Sequence, residues 1–466
     1  MTLLTIRALR LKAPKIEPKE VSKITFDEEK AIRDLGEMIK CKTVSYRDRS
    51  LEDDAEFEKL YAYLEKAFPN IYANTELTKI ENRGLLFRWK GKSPDSPSVL
   101  MSHFDVVPAD DDKWDHPPYS AEIVDGVMYG RGTIDTKITM NAVLQAVEHN
   151  IQKGFIPEND VYLAFSGSEE TSGPHAIKIV DILESKKLTP KLVLDEGGAV
   201  TEKVFPGVNV PCAMVGIAEK GMVNLKYTVK STGGHASAPK PKTPITTLAK
   251  ACTRVHKHPF KARLVKPVKD MLETMGKYSD KFLIKLLCGN LWLFKGLLGF
   301  VGKKIGGNIN AIMRTTSAFT TMKGADALNV IPTEAYLTSN HRILPGETMQ
   351  STLEYVQKIV NDKNINVEIV YGQEPSTISK YENSLGYENI KNTIQEIWPG
   401  LPVAPYLMVA ATDSRHQCRI SDNVYRFSPI HLNKEEVTLM HSHNERISLE
   451  NIIKSTEFYL RLIEKL

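Results

Sequence analysis

Two hydrophobic periods divide the chain. From about residue 27 to 67, "AIRDLGEMIK" and "DAEFEKLYAYLEKAF" carry apolar residues at three- and four-residue spacing, the pattern of amphipathic helices. Short apolar runs then alternate with further helical patterns. In order these are "SVLMSHF", the helix "KITMNAVLQAVEHNIQK", "VYLAFSG", the helix "HAIKIVDILESKK" and "LVLDEGG". Strands alternating with helices imply right-handed crossovers and a mostly parallel sheet buried on both faces, so this region reads as α/β.

Around residue 217 the pattern shifts. "MVNLKYTVKS" alternates like a half-exposed strand and is followed by the helix "PITTLAKACTRVHKH". Then come "SAFTTMKG", "EAYLTSNHRI", the helix "TMQSTLEYVQKIVND" and the strand "INVEIVYG". Strand–helix–strand–strand–helix–strand is the ferredoxin-like order, an α+β unit. After about residue 373 helix and strand patterns resume. The expected architecture is a discontinuous α/β catalytic domain (1–216 and 374–466) with an inserted lid or dimerisation domain (217–373). A chain of 466 residues exceeds what one core usually serves, which agrees with two domains.

Inside the insertion, residues 252–305 are rich in Lys and Arg, poor in acids, and contain "FLIKLLCGNLWLFKGLLGFVG". Its lysines and glycines spoil a membrane span, and an amphipathic helical pair packed on the lid is expected. A surface for lipid or for greasy substrates is the other reading. The N-terminal "MTLLTIRALRLKAPK" has too short an apolar part for a signal peptide or a span and reads as a frayed end.

Bulk properties narrow the chemistry. The net charge of +4 gives no case for nucleic acid, and membrane contact is not expected. The five cysteines are scattered without a C-x-x-C pair, which suits a reducing, cytoplasmic location and argues against a disulfide framework and a thiolate metal site. Any metal must then use histidine and carboxylate.

Three of the apolar runs end in such groups: His103 and Asp105, Glu169 and Glu170, and Asp195 and Glu196. In open parallel sheets the ligand crevice lies at the carboxyl ends of the strands. Asp135 follows the glycine turn "YGRGTID", and "LMHSHNERIS" offers His441 and His443. Each feature alone has an ordinary explanation, such as a helix N-cap or a charge favouring the helix dipole. Together, anions gathered at one sheet edge need a cation, because an unpaired buried charge is costly. Histidine with carboxylate suits zinc or a related divalent ion.

The motifs "SHFDVVP", "YGRGTID", "SGSEETSG", "LDEGG", "EKGMVNLKYTVKSTGGHASAP", "NVIP", "HRILPG" and "HSHNERI" occur in an order that resembles the aminoacylase / carboxypeptidase S family of co-catalytic zinc peptidases. "LDEGG" and "EKG" look most like its carboxypeptidase S branch. The resemblance implies two Zn2+ ions per chain, replaceable by Co2+ or Mn2+. Asp135 would bridge them, His103 and Asp195 would hold one, and Glu170 and His441 the other. It implies Glu169 as the general base acting on a metal-bridging water, with Asp105 as the carboxylate behind a ligand histidine. From the lid, His235 would stabilise the oxyanion, in dimeric members that of the partner subunit. Asn329 and Arg342 would hold the substrate, an arginine fork suiting a free carboxylate.

The implied activity is hydrolysis of an amide bond next to a free carboxylate, in small peptides or N-acyl amino acids. A homodimer through the lid is compatible with it. A dedicated deacylase of one N-acyl metabolite, and a catalytically silent metal-binding scaffold, are the alternatives; the intact Glu169 argues against the second.

Overall fold

The computed structural model of the protein describes residues 2–14, 22–203 and 207–466. Among them, the large sheet has ten strands. Its centre runs Asn159–Ser166, Ser93–His103, Leu192–Asp195 and Val424–Arg426, all parallel. Antiparallel strands Glu76–Ile80 and Gly84–Trp89 extend one side. Cys212–Glu219 joins the other side, with Val403–Met408 parallel to it.

Alternation along the central strands sorts their side chains onto two helical layers. Leu100, Leu163, Phe165 and Leu194 pack with the helices Lys137–Gln152 and Leu449–Ile463. Met101, Tyr162, Ala164 and Val193 face the helix His175–Ser185 through Ile179 and Leu183. Both faces are covered, so the strand ends rather than the faces are left to bind a ligand, and the α/β expectation holds.

The chain leaves the large sheet at Glu219 and enters a second, antiparallel sheet at Gly221. That sheet is ordered Thr316–Lys323, Glu334–Ile343, Gly221–Lys230, Asn366–Gln373, with helices Pro244–Lys257 and Met349–Val360 against it. This is the expected ferredoxin-like lid. Residues 217–219, placed in the lid from sequence, extend the large-domain strand instead.

Two elements depart from the sequence reading. Residues 266–313 form four helices, Lys266–Tyr278, Phe282–Gly289, Leu291–Ile305 and Gly307–Met313. Their buried residues Met271, Met275, Cys288 and Leu291 share a core with Cys212, Ala404 and Leu407 of the large sheet, so they pack on the edge of the catalytic domain. The N-terminus is not frayed: Thr2–Arg10 is a helix, and Asn290 Nδ2 donates to the Leu4 carbonyl at 3.1 Å.

Candidate metal centre

His103, Ser166 and Asp195 end neighbouring strands, which brings the loops after them together. His103 is buried, and its Nδ1 lies 3.0 Å from the carbonyl oxygen of Asp105. A carbonyl only accepts, so Nδ1 carries the proton and Nε2 is turned inward as the donor nitrogen. Nε2 is 2.9 Å from Asp135 Oδ1 and 3.5 Å from Glu196 Oε1.

The other carboxylate oxygen of Asp135 lies 2.9 Å from His441 Nε2, and His441 Nε2 is 3.1 Å from Glu170 Oε2. Asp135 therefore presents one oxygen to each histidine, the placement a bridging carboxylate requires. Two groups have ligand atoms all within 4.8 Å of one another: His103, Asp135 and Glu170, and His103, Glu169 and Glu196.

The charges show what the cluster lacks. Burial, reinforced by the charges of Asp413 and Glu196, pushes Glu169 well above the carboxylate range despite His103. Burial and the charge of Asp135 push Glu196 up to about 8, and burial with Asp413 pushes Asp195 up to about 6. His441 is pushed up to about 10 by its hydrogen bonds to Asp135 and Glu170. Burial alone would lower His103, but Glu196, Asp105 and Asp135 outweigh it and hold it well above the imidazole range. Carboxylates that resist ionising beside histidines that resist neutralising form a site short of positive charge. Divalent ions fit it, and the donors are nitrogen and oxygen without a thiolate.

The two acids after the third strand are held differently. Asp195, which the resemblance assigns as a ligand, accepts backbone amides: Oδ2 from Ser414 and Oδ1 from Glu196, each at 2.9 Å. Successive residues at a strand end point to opposite sides, and Glu196 groups with His103 and Glu169, 3.5 Å from His103 Nε2. Glu196 was legible as one of the acids at that strand end, but its direction was not.

Asp105 holds the Glu169–Glu170 turn. Its Oδ1 accepts from the Glu169 amide at 3.1 Å, and Oδ2 accepts from the Glu170 amide at 3.2 Å and from Ser45 Oγ at 2.6 Å. Oδ1 is also 3.5 Å from His103 Nδ1. A second support, unseen in the sequence, is Glu445. Fully buried, it accepts at Oε1 from the amides of Gly132 and Ile134 at 3.0 and 2.8 Å, and pairs at Oε2 with Arg131 Nη1 at 2.6 Å. Glu445 thereby ties the His441 segment to the turn that presents Asp135. Only its place four residues after His441 hinted at this.

The lid residues lie elsewhere. His235 pairs in register with Val330, and the Ala236 amide donates to the Asn329 carbonyl at 2.9 Å, so His235 and Asn329 share an exposed two-stranded antiparallel ribbon. Arg342 is exposed on the lid sheet opposite Met222 and Thr316. Among the described residues, no hydrogen bond or ion pair joins these three to the metal cluster.

Residues 99–465 match the family model for peptidase family M20/M25/M40. The chain belongs to that family. It is 36% identical to the N-fatty-acyl-amino acid synthase/hydrolase PM20D1 of Xenopus tropicalis, covering 91% of this chain and 84% of the relative. It is 32% identical to the probable carboxypeptidase S-like 2 of Dictyostelium discoideum, covering 100% of this chain and 91% of the relative. The fold superposes on an M20 family metallo-carboxypeptidase from Sulfolobus solfataricus with a TM-score of 0.69 at 17% identity, covering 93% of this chain and 98% of that one. With human carnosine dipeptidase 1 the TM-score is 0.66 at 14% identity, covering 94% and 96%. This M20 chain is an enzyme, a metal-dependent hydrolase of the carboxypeptidase and aminoacylase type.

Proposed function

We propose that this M20 enzyme hydrolyses the amide bond of N-acyl amino acids with long apolar acyl groups, using two zinc ions. The observation that carries the reading is Asp135 poised between His103 and His441, with Glu169 in the same cluster. Glu196 and His103 would hold one ion, Glu170 and His441 the other, and Asp135 would contribute to both. The chemistry supplied by the ions when bound is polarisation of the scissile carbonyl and acidification of the attacking water.

Glu169 takes the proton from that water and returns it to the leaving amine, a task suited to a carboxyl raised by burial. Asp105 fixes the turn on which Glu169 and Glu170 stand, so that one carboxylate can face a metal and the other the water. Arg342 offers its fork to the free carboxylate of the substrate. His235 and Asn329 give polar contacts to the carbonyl oxygen when a lid, its own or a second copy's, closes over the site.

Long acyl chains are favoured because the relatives named N-fatty-acyl-amino acid synthase/hydrolase reach 36% identity, against 32% for the carboxypeptidase S-like relative. The test is a panel of N-oleoyl and N-acetyl amino acids and dipeptides, each with chelator and with zinc restored. Oleoyl substrates are expected to be turned over fastest, with activity lost to the chelator and recovered with zinc. Faster cleavage of acetyl substrates or dipeptides removes the acyl assignment, and chelator-insensitive hydrolysis removes the metal one.

A further inference from the structure

The helices Phe282–Gly289 and Leu291–Ile305 meet at 109°, and neither by itself is long and apolar enough to cross a membrane. They stack outward from the large sheet. Helix Lys266–Tyr278 packs on strand Val403–Met408, Phe282–Gly289 packs on that helix, and Thr2–Arg10 packs on Phe282–Gly289. Cys288 and Leu291 are buried in this stack, while Gly299 is buried beside Ala262 and Gly302 beside Ile309 and Asn310. The outer face is apolar: Leu283 is 71% exposed, Trp292 58%, Leu293 48%, Leu297 52% and Phe300 60%. Leu3 and Leu9 of the N-terminal helix are also exposed.

Charge says what covers this face. Helices Thr2–Arg10, Phe282–Gly289 and Leu291–Ile305 carry Arg7, Arg10, Lys285, Lys295, Lys303 and Lys304 and no acidic residue. None of the six forms an ion pair among the described residues. A cleft of about 750 Å3, lined by Arg7, Arg10, Lys269, Glu273 and Trp292, opens where the N-terminal helix meets the bend. A second copy docked face to face about a two-fold axis would set these cations against their own counterparts, and Glu273, the acid of the cleft, already faces Lys269 at 3.6 Å. An anionic lipid surface matches both features: apolar side chains enter the acyl boundary while long basic side chains keep their charges at the headgroups.

We propose that this surface docks the protein onto membranes containing anionic phospholipid, with the bent helices lying in the interface plane. Phosphates meet Lys295, Lys303, Lys304 and the Arg7–Arg10 cleft, and Trp292 sits at the boundary. The net charge gives no case for membrane contact, but the apolar, lysine-bearing stretch leaves a lipid surface as one reading, and the outward exposure of its apolar face favours that reading. The proposal depends on neither the substrate nor the metals proposed above.

The test is co-sedimentation of the full chain with phosphatidylcholine vesicles, and with vesicles in which about a third of the lipid is phosphatidylserine. Binding is expected to the anionic vesicles only and to weaken with salt. Combined Leu293→Glu, Leu297→Glu and Phe300→Glu substitutions, and separately Lys295→Glu, Lys303→Glu and Lys304→Glu, should each reduce binding by at least about tenfold. Thermal melting and hydrolysis of a soluble substrate should stay as in the parent chain, because these side chains face outward and lie outside the site. The charge variant adds no apolar-to-polar change, so it separates docking from misfolding. Equal binding to neutral vesicles, no binding, or undiminished binding by either variant overturns the proposal. So does a concentration-dependent dimer in ultracentrifugation that Leu297→Glu abolishes without any vesicle binding, which assigns the face to a second copy.

Discussion

Asp105 Oδ1 accepts the backbone amide of Glu169 at 3.1 Å, so the carboxylate after the His103 strand holds the proposed general base from behind. The same group takes the Glu170 amide and lies beside His103, which makes it a joint between two strand-end loops. Asn at this position keeps one acceptor oxygen but turns an NH2 toward an amide. Asp105→Asn is therefore expected to lower kcat/KM by about 10–100-fold and to weaken metal binding. Glu169→Gln should instead keep its metal and lose about 10²–10⁴-fold in kcat. Metal analysis alongside steady-state kinetics distinguishes the two, and an Asp105→Asn enzyme with the parent rate removes the positioning role.

Glu196 and Asp195 make opposite predictions. Glu196→Ala should cost about one bound ion per chain, read by elemental analysis after dialysis. Asp195→Asn should retain the metal but loosen the Ser414 loop, lowering stability by about 1–3 kcal/mol because a buried amide loses its acceptor. The reverse stoichiometry would return the ligand role to Asp195.

Glu445 is a buried partner of a buried arginine. Glu445→Gln leaves Arg131 without a counter-charge, and the expected destabilisation is about 3–5 kcal/mol, seen as a large fall in Tm. Since its Oε1 also holds the turn before Asp135, metal affinity should fall as well. A destabilised variant with unchanged metal affinity would confine Glu445 to a structural role.

His341 is buried in the lid sheet, with Ser317 Oγ 2.9 Å from Nδ1 and Ser339 Oγ 2.7 Å from Nε2. Burial pushes its pKa down to about 4. Unfolded, the imidazole titrates near 6.5, so between these values the unfolded chain binds the extra proton. The stability that His341 contributes is complete above about 6.5 and is lost as pH falls toward 4, at most about 3 kcal/mol. His341→Gln removes the titrating group, so its melting curve should depend less steeply on pH than the parent's over this range. Parallel pH profiles for the two proteins would exclude the effect.

Much of the architecture was legible because it is periodic. Residues 137–152 repeat like a helix and 98–103 and 161–166 run apolar like buried strands, and both periods are local properties. The lid's ferredoxin-like character followed from the succession of its strand and helix patterns. The N-terminal helix and the outward stack of residues 266–305 were not legible, because an apolar helix reads alike whether its face meets a core or solvent.

The sequence by itself determined the donor types. Histidines and carboxylates fell at the ends of apolar runs, with no paired cysteine, so a nitrogen–oxygen metal site was fixed by composition and spacing. How the two adjacent acids are held was decided only by the fold. The amide of Ser414, far along the chain, reaches the Asp195 carboxylate, and Glu445 acts on the Asp135 turn from a similar remove. Such contacts close loops of hundreds of residues, and no local period records them.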